Sequence, residues 1–77
     1  MEFEKLKSIV CEVLGLDEND DSITLETSFA DDLGVDSLDF AQILIGIEDE
    51  FDVEIDDDRM SSIVTLGDAV EAIKEAL

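Results

Sequence analysis

Apolar residues recur at three- and four-residue steps in separate stretches of this chain, a spacing that only helices turn to one face. The first such stretch predicts a helix over 2–14 that ends at Gly15, since glycine commonly terminates helices. In the second, Asp36 is suited to cap a helix that begins at Ser37 and continues to about Phe51.

Two shorter signals follow in the last third of the chain. A helical turn is expected within 55–63, and Thr65-Leu66-Gly67-Asp68 resembles the capped start of a last helix. That helix is expected to carry the apolar residues Ala69, Val70, Ile73 and Leu77. Alternation at 53–55 is too short to predict a strand. The predicted fold is therefore all-α, a small four-helix bundle of three longer helices and one short helix in a single domain, 1–77.

Between the first two helices, the pattern changes to polar and acidic residues with isolated apolar ones. This change predicts a long surface loop over 16–35 that is pinned to the core at a few points. The expected anchors are Leu16, Ile23, Leu25, Phe29 and Leu33.

Composition excludes several classes of function. The 77 residues include 23 Asp and Glu against 4 Lys and Arg, a formal net charge of −19, which would repel nucleic acid. A hydrophobic content of 45% is too high for a disordered acidic tail. There is no histidine, so nucleophile pairs that depend on an imidazole are excluded.

The only cysteine, Cys11, can form no internal disulfide and no multi-thiolate zinc site, and we interpret it as a packing residue in a reducing compartment. No apolar run approaches the roughly 20 residues of a membrane span, and the N-terminal residues 1–7 do not resemble a signal segment. We therefore expect a cytoplasmic protein without membrane insertion.

The second predicted helix has two apolar faces. One wide arc suits a core: Phe40, Ile43, Leu44, Ile47 and Phe51. A narrow stripe of Leu38, Ala41 and Ile45 lies on another side, flanked by Gln42, Glu48 and Asp49, and no Lys or Arg occurs from Ser8 through Asp58. An acid-flanked apolar stripe predicts a docking surface for a basic partner, and the alternative is that it packs on the loop or a neighbouring helix.

Residues 29–39, Phe-Ala-Asp-Asp-Leu-Gly-Val-Asp-Ser-Leu-Asp, closely resemble the attachment motif of acyl carrier proteins. Residues 48–52, Ile55 and 63–65 also resemble that family, so the resemblance covers nearly the whole chain. It implies that a phosphopantetheinyl transferase, using coenzyme A and Mg²⁺, esterifies Ser37 to 4′-phosphopantetheine, and that Asp36 and Leu38 are recognised by the transferase. Without the family, an Asp-Ser pair is an ordinary helix start.

The resemblance also implies a monomeric carrier, not an enzyme, that serves acyl transferases, ketosynthases, reductases and dehydratases with basic docking patches. The implied docking residues are Leu38, Asp39, Ala41, Gln42, Ile45, Glu48 and Asp49. The residues that could line an acyl pocket are Phe40, Ile43, Leu44, Ile47, Ile63 and Leu66, for which core packing is the default role. Fatty acid biosynthesis is the expected pathway. Gln42 stands where such carriers commonly have an acid, which leaves a polyketide or other specialised pathway open.

Two rival functions remain from the residues alone. The acidic runs at 17–21 and 56–58 suggest a divalent-ion buffer, but an EF-hand beginning at Asp17 would need glycine and glutamate where Ser22 and Ser28 stand. We expect only weak, unspecific ion binding and no specific metal site. The other rival is an acidic adaptor protein in which Ser37 serves only to open the helix.

Overall fold

The computed structural model describes residues 2–19 and 21–77, which contain four helices and no strand. These are α1 (Glu2–Leu14), α2 (Ser37–Phe51), α3 (Asp57–Ser61) and α4 (Leu66–Ala76). The predicted all-α bundle of three longer helices and one short helix is confirmed. Met1 and Asp20, which belong to the N-terminal segment and the first acidic run considered above, lie outside the described residues.

The helix ends follow the local signals in the sequence. The Asp36 carboxylate accepts a hydrogen bond from the Asp39 N–H at 2.8 Å and caps α2. At α4, Thr65 and Asp68 form a reciprocal capping box in which each side chain accepts the other's backbone N–H. Gly15 follows α1 with φ +71°, the left-handed conformation that glycine adopts without strain.

One side chain secures the turn after α2. The Glu48 carboxylate accepts a hydrogen bond from the Ile55 N–H at 3.0 Å, across seven residues of chain. Between them Asp52 takes a positive φ of 54°, which is uncommon for a residue with a Cβ atom. Further along, Arg59 of α3 lies 3.2 Å from Glu75 of α4, measured from Nε to Oε1, and this ion pair joins the short helix to the last one.

The core draws on all three longer helices, as the apolar spacing predicts. Its fully buried large side chains are Leu6, Val10, Cys11, Ile43, Ile47, Leu66 and Ile73. Two of the expected loop anchors are wrong, because the side chains of Leu16 and Leu25 are 41% and 46% exposed. Leu16 lies two residues after the end of α1, where the chain leaves the buried face, whereas Leu25 is held through its backbone carbonyl instead of its side chain.

The long loop is held to the start of α4 by backbone hydrogen bonds. Phe29 N–H donates to Val64 at 3.0 Å, Leu66 N–H to Thr27 at 3.0 Å, and Gly67 N–H to the Leu25 carbonyl at 2.8 Å. Ile23 and Phe29 bury their side chains beneath this connection, as expected, and Leu33 packs against the core while partly exposed. The connection fixes the part of the loop that leads into Ser37.

Helices α1 and α2 pack antiparallel and approach most closely at Gly46. A Cβ atom at Gly46 would lie 2.8 Å from Ile9 Cγ2, closer than real side chains come. One turn away along each helix, Lys5 Nζ lies 3.9 Å from Glu50 Oε2 and 5.8 Å from the Phe51 ring centroid. The absence of a side chain at Gly46 therefore sets the spacing of this helix pair.

Candidate functional site

Ser37 is the first residue of α2, and its side chain is exposed. Helix starts often use serine itself as the cap, but here Asp36 performs that role. Within residues 2–19 and 21–77, the Ser37 hydroxyl makes no hydrogen bond, whereas Ser28, Ser61 and Ser62 each engage theirs. Its Oγ is thus accessible and not required for holding the fold.

An apolar cavity of about 270 Å³ opens beside Ser37. Phe29 and Phe40 form one wall, with their ring centroids 5.4 Å apart and the rings inclined at 65°, an edge-to-face contact. The other lining residues are Ala30, Val35, Asp36, Ser37, Ile63 and Val64. An exposed hydroxyl therefore lies at the edge of a surface that can receive an apolar group.

The cavity matches the predicted acyl pocket only in part. Phe40 and Ile63 line it, whereas Ile43, Leu44, Ile47 and Leu66 are buried in the core and do not reach it. Sequence reasoning missed Phe29, Val35 and Val64, which reach the cavity because the loop is tied to the start of α4. Residues 29 and 35 belong to the attachment motif itself, and this was the only signal that could have pointed to them.

The predicted docking stripe faces solvent. Leu38 is 68% exposed and Ile45 is 58% exposed, and Ala41 between them is exposed as well. The alternative that this stripe packs on the loop or another helix is therefore wrong. Gln42 and Asp49 are exposed beside it, while Asp39 and Glu48 are partly buried, the latter through its bond to Ile55.

Around the serine, the titratable groups are acids. Near the cavity the backbone N–H groups of Val64 and Thr65 donate to the Asp68 carboxylate at 3.0 and 3.1 Å and hold its pKa below the ordinary value. Among the described residues, no group of three or more potential metal ligands comes together. The site thus presents a hydroxyl and an apolar surface, with no neighbouring group placed to activate the hydroxyl.

The Cys11 thiol lies away from this site. Its side chain is 1% exposed in the core of the α1 region, and its Sγ–H donates to the Asp17 carbonyl at 3.7 Å. This burial agrees with the interpretation of Cys11 as a packing residue. No helix within the described ranges is long and apolar enough to cross a membrane.

Comparison with known proteins shows what class of protein this fold and site define. Residues 4–73 match the family model of the phosphopantetheine attachment site. An acyl carrier protein of Clostridium acetobutylicum is 43% identical over 74 residues, which cover 96% of this chain and 94% of the relative. A structure from Mycobacterium tuberculosis, described as an acyl carrier protein, superposes with a TM-score of 0.87 at 31% identity over 97% of both chains.

The chain belongs to the acyl carrier protein family, whose members hold acyl groups on phosphopantetheine and pass them between enzymes. The cofactor is therefore phosphopantetheine, and its general partners are a phosphopantetheinyl transferase and synthase enzymes. The residues fit this group, because attachment needs an accessible hydroxyl and the arm has an apolar surface beside it.

Proposed function

We propose that Ser37 bears the 4′-phosphopantetheine arm and that the protein carries acyl intermediates of fatty acid biosynthesis in the cytoplasm. The observation that carries this proposal is the exposed Ser37 hydroxyl at the edge of an apolar cavity. This hydroxyl is free for attachment because Asp36, and not Ser37, caps α2. In attachment, a phosphodiester bond forms at Ser37 Oγ, the hydroxyl proton leaves, and the nucleotide part of coenzyme A departs. The protein is then a substrate of other enzymes and performs no reaction itself.

Once attached, the arm supplies a terminal thiol on which an acyl group is held as a thioester. The protein chain itself fixes the position from which the arm extends. The start of α2 offers its positive dipole end to the new phosphate, which favours a negative group at Ser37. The cap at Asp36 fixes the first turn, so the arm leaves the surface from a constant point beside Phe40 and Val64.

The exposed stripe supports recognition by partner enzymes. Leu38, Ala41 and Ile45 give an apolar strip, and the acids around it favour a partner with a basic patch. Because these charges lie at the rim, they raise the rate of association more than the final affinity. The acyl group itself would lie against Phe29, Phe40 and Ile63 while the carrier is free.

Attachment is tested by incubating the purified chain with a broad-specificity phosphopantetheinyl transferase, coenzyme A and Mg²⁺ and measuring the intact mass. We expect a single phosphopantetheine addition to the wild type and to Ser61→Ala, and none to Ser37→Ala. Ser61 is the matched control because it is an exposed serine within a helix. Addition to Ser37→Ala, or a second addition to the wild type, would place the arm elsewhere.

The pathway is tested at Gln42, the exposed amide beside the stripe. We expect ketosynthases of dissociated fatty acid synthesis to accept the loaded wild type, and Gln42→Glu to raise kcat/KM about two- to fivefold at low salt by restoring an acid that steers a basic patch. The gain should shrink as salt is added. Rejection of the wild type by these enzymes, together with acceptance by a polyketide ketosynthase, would assign the carrier to the other pathway.

A further inference from the structure

A second concave surface lies between α1 and α2, away from the Ser37 cavity. It has a volume of about 510 Å³ and runs along about one turn of α1 and two turns of α2. Ile9, Val13 and Gly46 form its floor, and Glu12, Asp49 and Glu50 surround it, with Gln42 at one end. We call this surface the α1/α2 groove; it shares no lining residue with the cavity beside Ser37.

The floor of the groove is apolar and open. Gly46 has no side chain, and the Ile9 side chain packs directly over it and forms part of the floor. Ile9 and Val13 pack against the core but remain partly exposed, so the described residues leave part of their apolar surface uncovered. An occupant with an apolar portion would remove this surface from water.

The rim carries charge that the chain does not neutralise. Glu50 has Lys5 at 3.9 Å, but within 2–19 and 21–77 neither Glu12 nor Asp49 has an ion-pair partner. Helix α2 carries no Lys or Arg, and the cations of α1 are Lys5, which Glu50 engages, and Lys7, which forms no ion pair with Glu12 or Asp49 among the described residues. A ligand that neutralises these carboxylates must therefore carry a positive charge.

We propose that the α1/α2 groove binds an arginine-bearing segment of a partner protein. The arginine stem would lie on Ile9 and Val13 over Gly46, and its guanidinium would donate to Glu12 and Asp49. Arginine suits this surface better than lysine, because its planar group donates several hydrogen bonds at once and is more weakly hydrated.

The groove lies away from the attachment point of the arm. Gly46 lies nine residues after Ser37, about 14 Å along the helix axis at 1.5 Å per residue. Leu38, Ala41 and Ile45 face another side of α2, although Gln42 and Asp49 border both surfaces. A partner in the groove therefore leaves the arm free, and its binding does not depend on modification of Ser37.

The probe is a synthetic amphipathic helical peptide of about 14 residues with arginines on its polar face, titrated into the ¹⁵N-labelled unmodified chain. We expect the largest amide shifts at Ile9, Val13 and Gly46. Glu12→Lys should weaken binding about tenfold, and replacing the peptide's arginines by neutral citrulline should abolish it. Glu71→Lys makes the same change in net charge on an exposed residue of α4 and should alter the affinity less than about twofold.

Three results would overturn the proposal: no binding by the arginine peptide, amide shifts centred on Leu38 and Ile45, or equal weakening by Glu12→Lys and Glu71→Lys. Glu12→Lys places a cation in the last turn of α1, where the helix dipole favours it, and Glu12→Gln provides a second variant without a reversed charge. Ser37→Ala should bind the peptide like the wild type. Absence of peptide binding in the groove and absence of phosphopantetheine attachment at Ser37 are therefore distinguishable results.

Discussion

Four aspartates near the starts of α2 and α4 have the same side chain but different structural roles. Asp36 and Asp68 accept backbone N–H groups at the starts of α2 and α4, and Asp32 accepts the N–H and hydroxyl of Ser28 within the loop. Asp39 donates its N–H to Asp36 and leaves its own carboxylate without a bond inside residues 2–19 and 21–77. In a chain with such an excess of acid, the acids that hold the site are distinguished by backbone donors, not by counterions.

Asp68 should make stability depend on pH. Its pKa is lowered in the folded state by the N–H groups of Val64 and Thr65, so its stabilisation is fully present above its unfolded pKa of about 3.9 and disappears as pH falls through the lower folded value. We expect Asp68→Asn to lower Tm at pH 6, because the amide is a weaker acceptor. The difference in Tm between wild type and variant should shrink below about pH 4.

Thermal melts followed by circular dichroism at several pH values measure this difference directly. Because both proteins share every other carboxylate, protonation of the rest of the surface cancels in the comparison. Asp57→Asn is the control, since Asp57 is an exposed acid in the first turn of α3. A constant gap between wild type and Asp68→Asn from pH 6 to about pH 3 would contradict the role assigned to the carboxylate.

At the scale of elements, the close packing of α1 against α2 depends on the absence of a side chain at Gly46. Gly46 is poor for a helix interior, and Ala there would gain about 1 kcal/mol of helix propensity. Its Cβ would, however, stand 2.8 Å from Ile9 Cγ2, on a β-branched side chain with little rotational freedom. Overpacking of this kind costs about 1–3 kcal/mol, so we expect Gly46→Ala to lower the free energy of unfolding by about 1 kcal/mol.

Urea denaturation of a double-mutant cycle separates the two effects. With Ile9→Ala, the methyl group that Gly46→Ala would strike is gone, and the same substitution should then become neutral or stabilising by about 0.5–1 kcal/mol. Purely additive effects of the two substitutions would show that Gly46 is not needed for the close approach. The slope of the unfolding free energy against urea should stay unchanged, because neither variant alters the overall fold.

Helix bounds were predictable because their signals are local. The spacing of apolar residues and the caps at Asp36 and Thr65 lie within a few residues of the ends that they define. Contacts across the chain leave no such pattern. Nothing near Glu48 indicates that its carboxylate will accept the Ile55 N–H, and nothing near Thr27 indicates that this loop residue will be only 7% exposed.

The same distinction applies to the candidate site. The exposed stripe of α2 follows from spacing on one helix and Ser37 follows from the attachment motif, whereas the cavity forms where the loop, α2 and the 63–64 segment meet. The family resemblance suggested Ile43, Leu44, Ile47 and Leu66 as pocket residues with core packing as their default role, and the fold places them in the core. Hydrogen bonds between 27–29 and 64–66, together with the bond from the Val35 N–H to the Phe29 carbonyl, bring Phe29 and Val64 to Ser37.

At the scale of the whole molecule, charge opposes folding. The described part of the chain measures 27 × 24 × 19 Å, and the full sequence carries a formal charge of −19. At about 10 mM salt the Debye length is about 30 Å, so almost every charge repels every other one across the molecule. At about 150 mM the length is about 8 Å, and only neighbouring acids still interact strongly.

We therefore expect Tm to rise by about 5–10 °C between these two salt concentrations, which corresponds to roughly 1 kcal/mol or slightly more for a chain of this length. Millimolar Mg²⁺ or Ca²⁺ should raise Tm further than a monovalent salt of equal ionic strength, and the two divalent ions should act alike. Their similarity follows from weak association with dispersed acids, since no cluster of three or more ligands forms among the described residues.

Charge variants provide the control for this interpretation. Glu71→Lys reduces the net charge from −19 to −17 at an exposed position of α4, so it should raise Tm at low salt and flatten the dependence of Tm on salt. A Tm that is insensitive to salt would show that self-repulsion is a minor contribution. A response to Ca²⁺ that saturates at micromolar concentration, without an equal response to Mg²⁺, would instead require a specific site of the kind that Ca²⁺ sensors build from converging carboxylates.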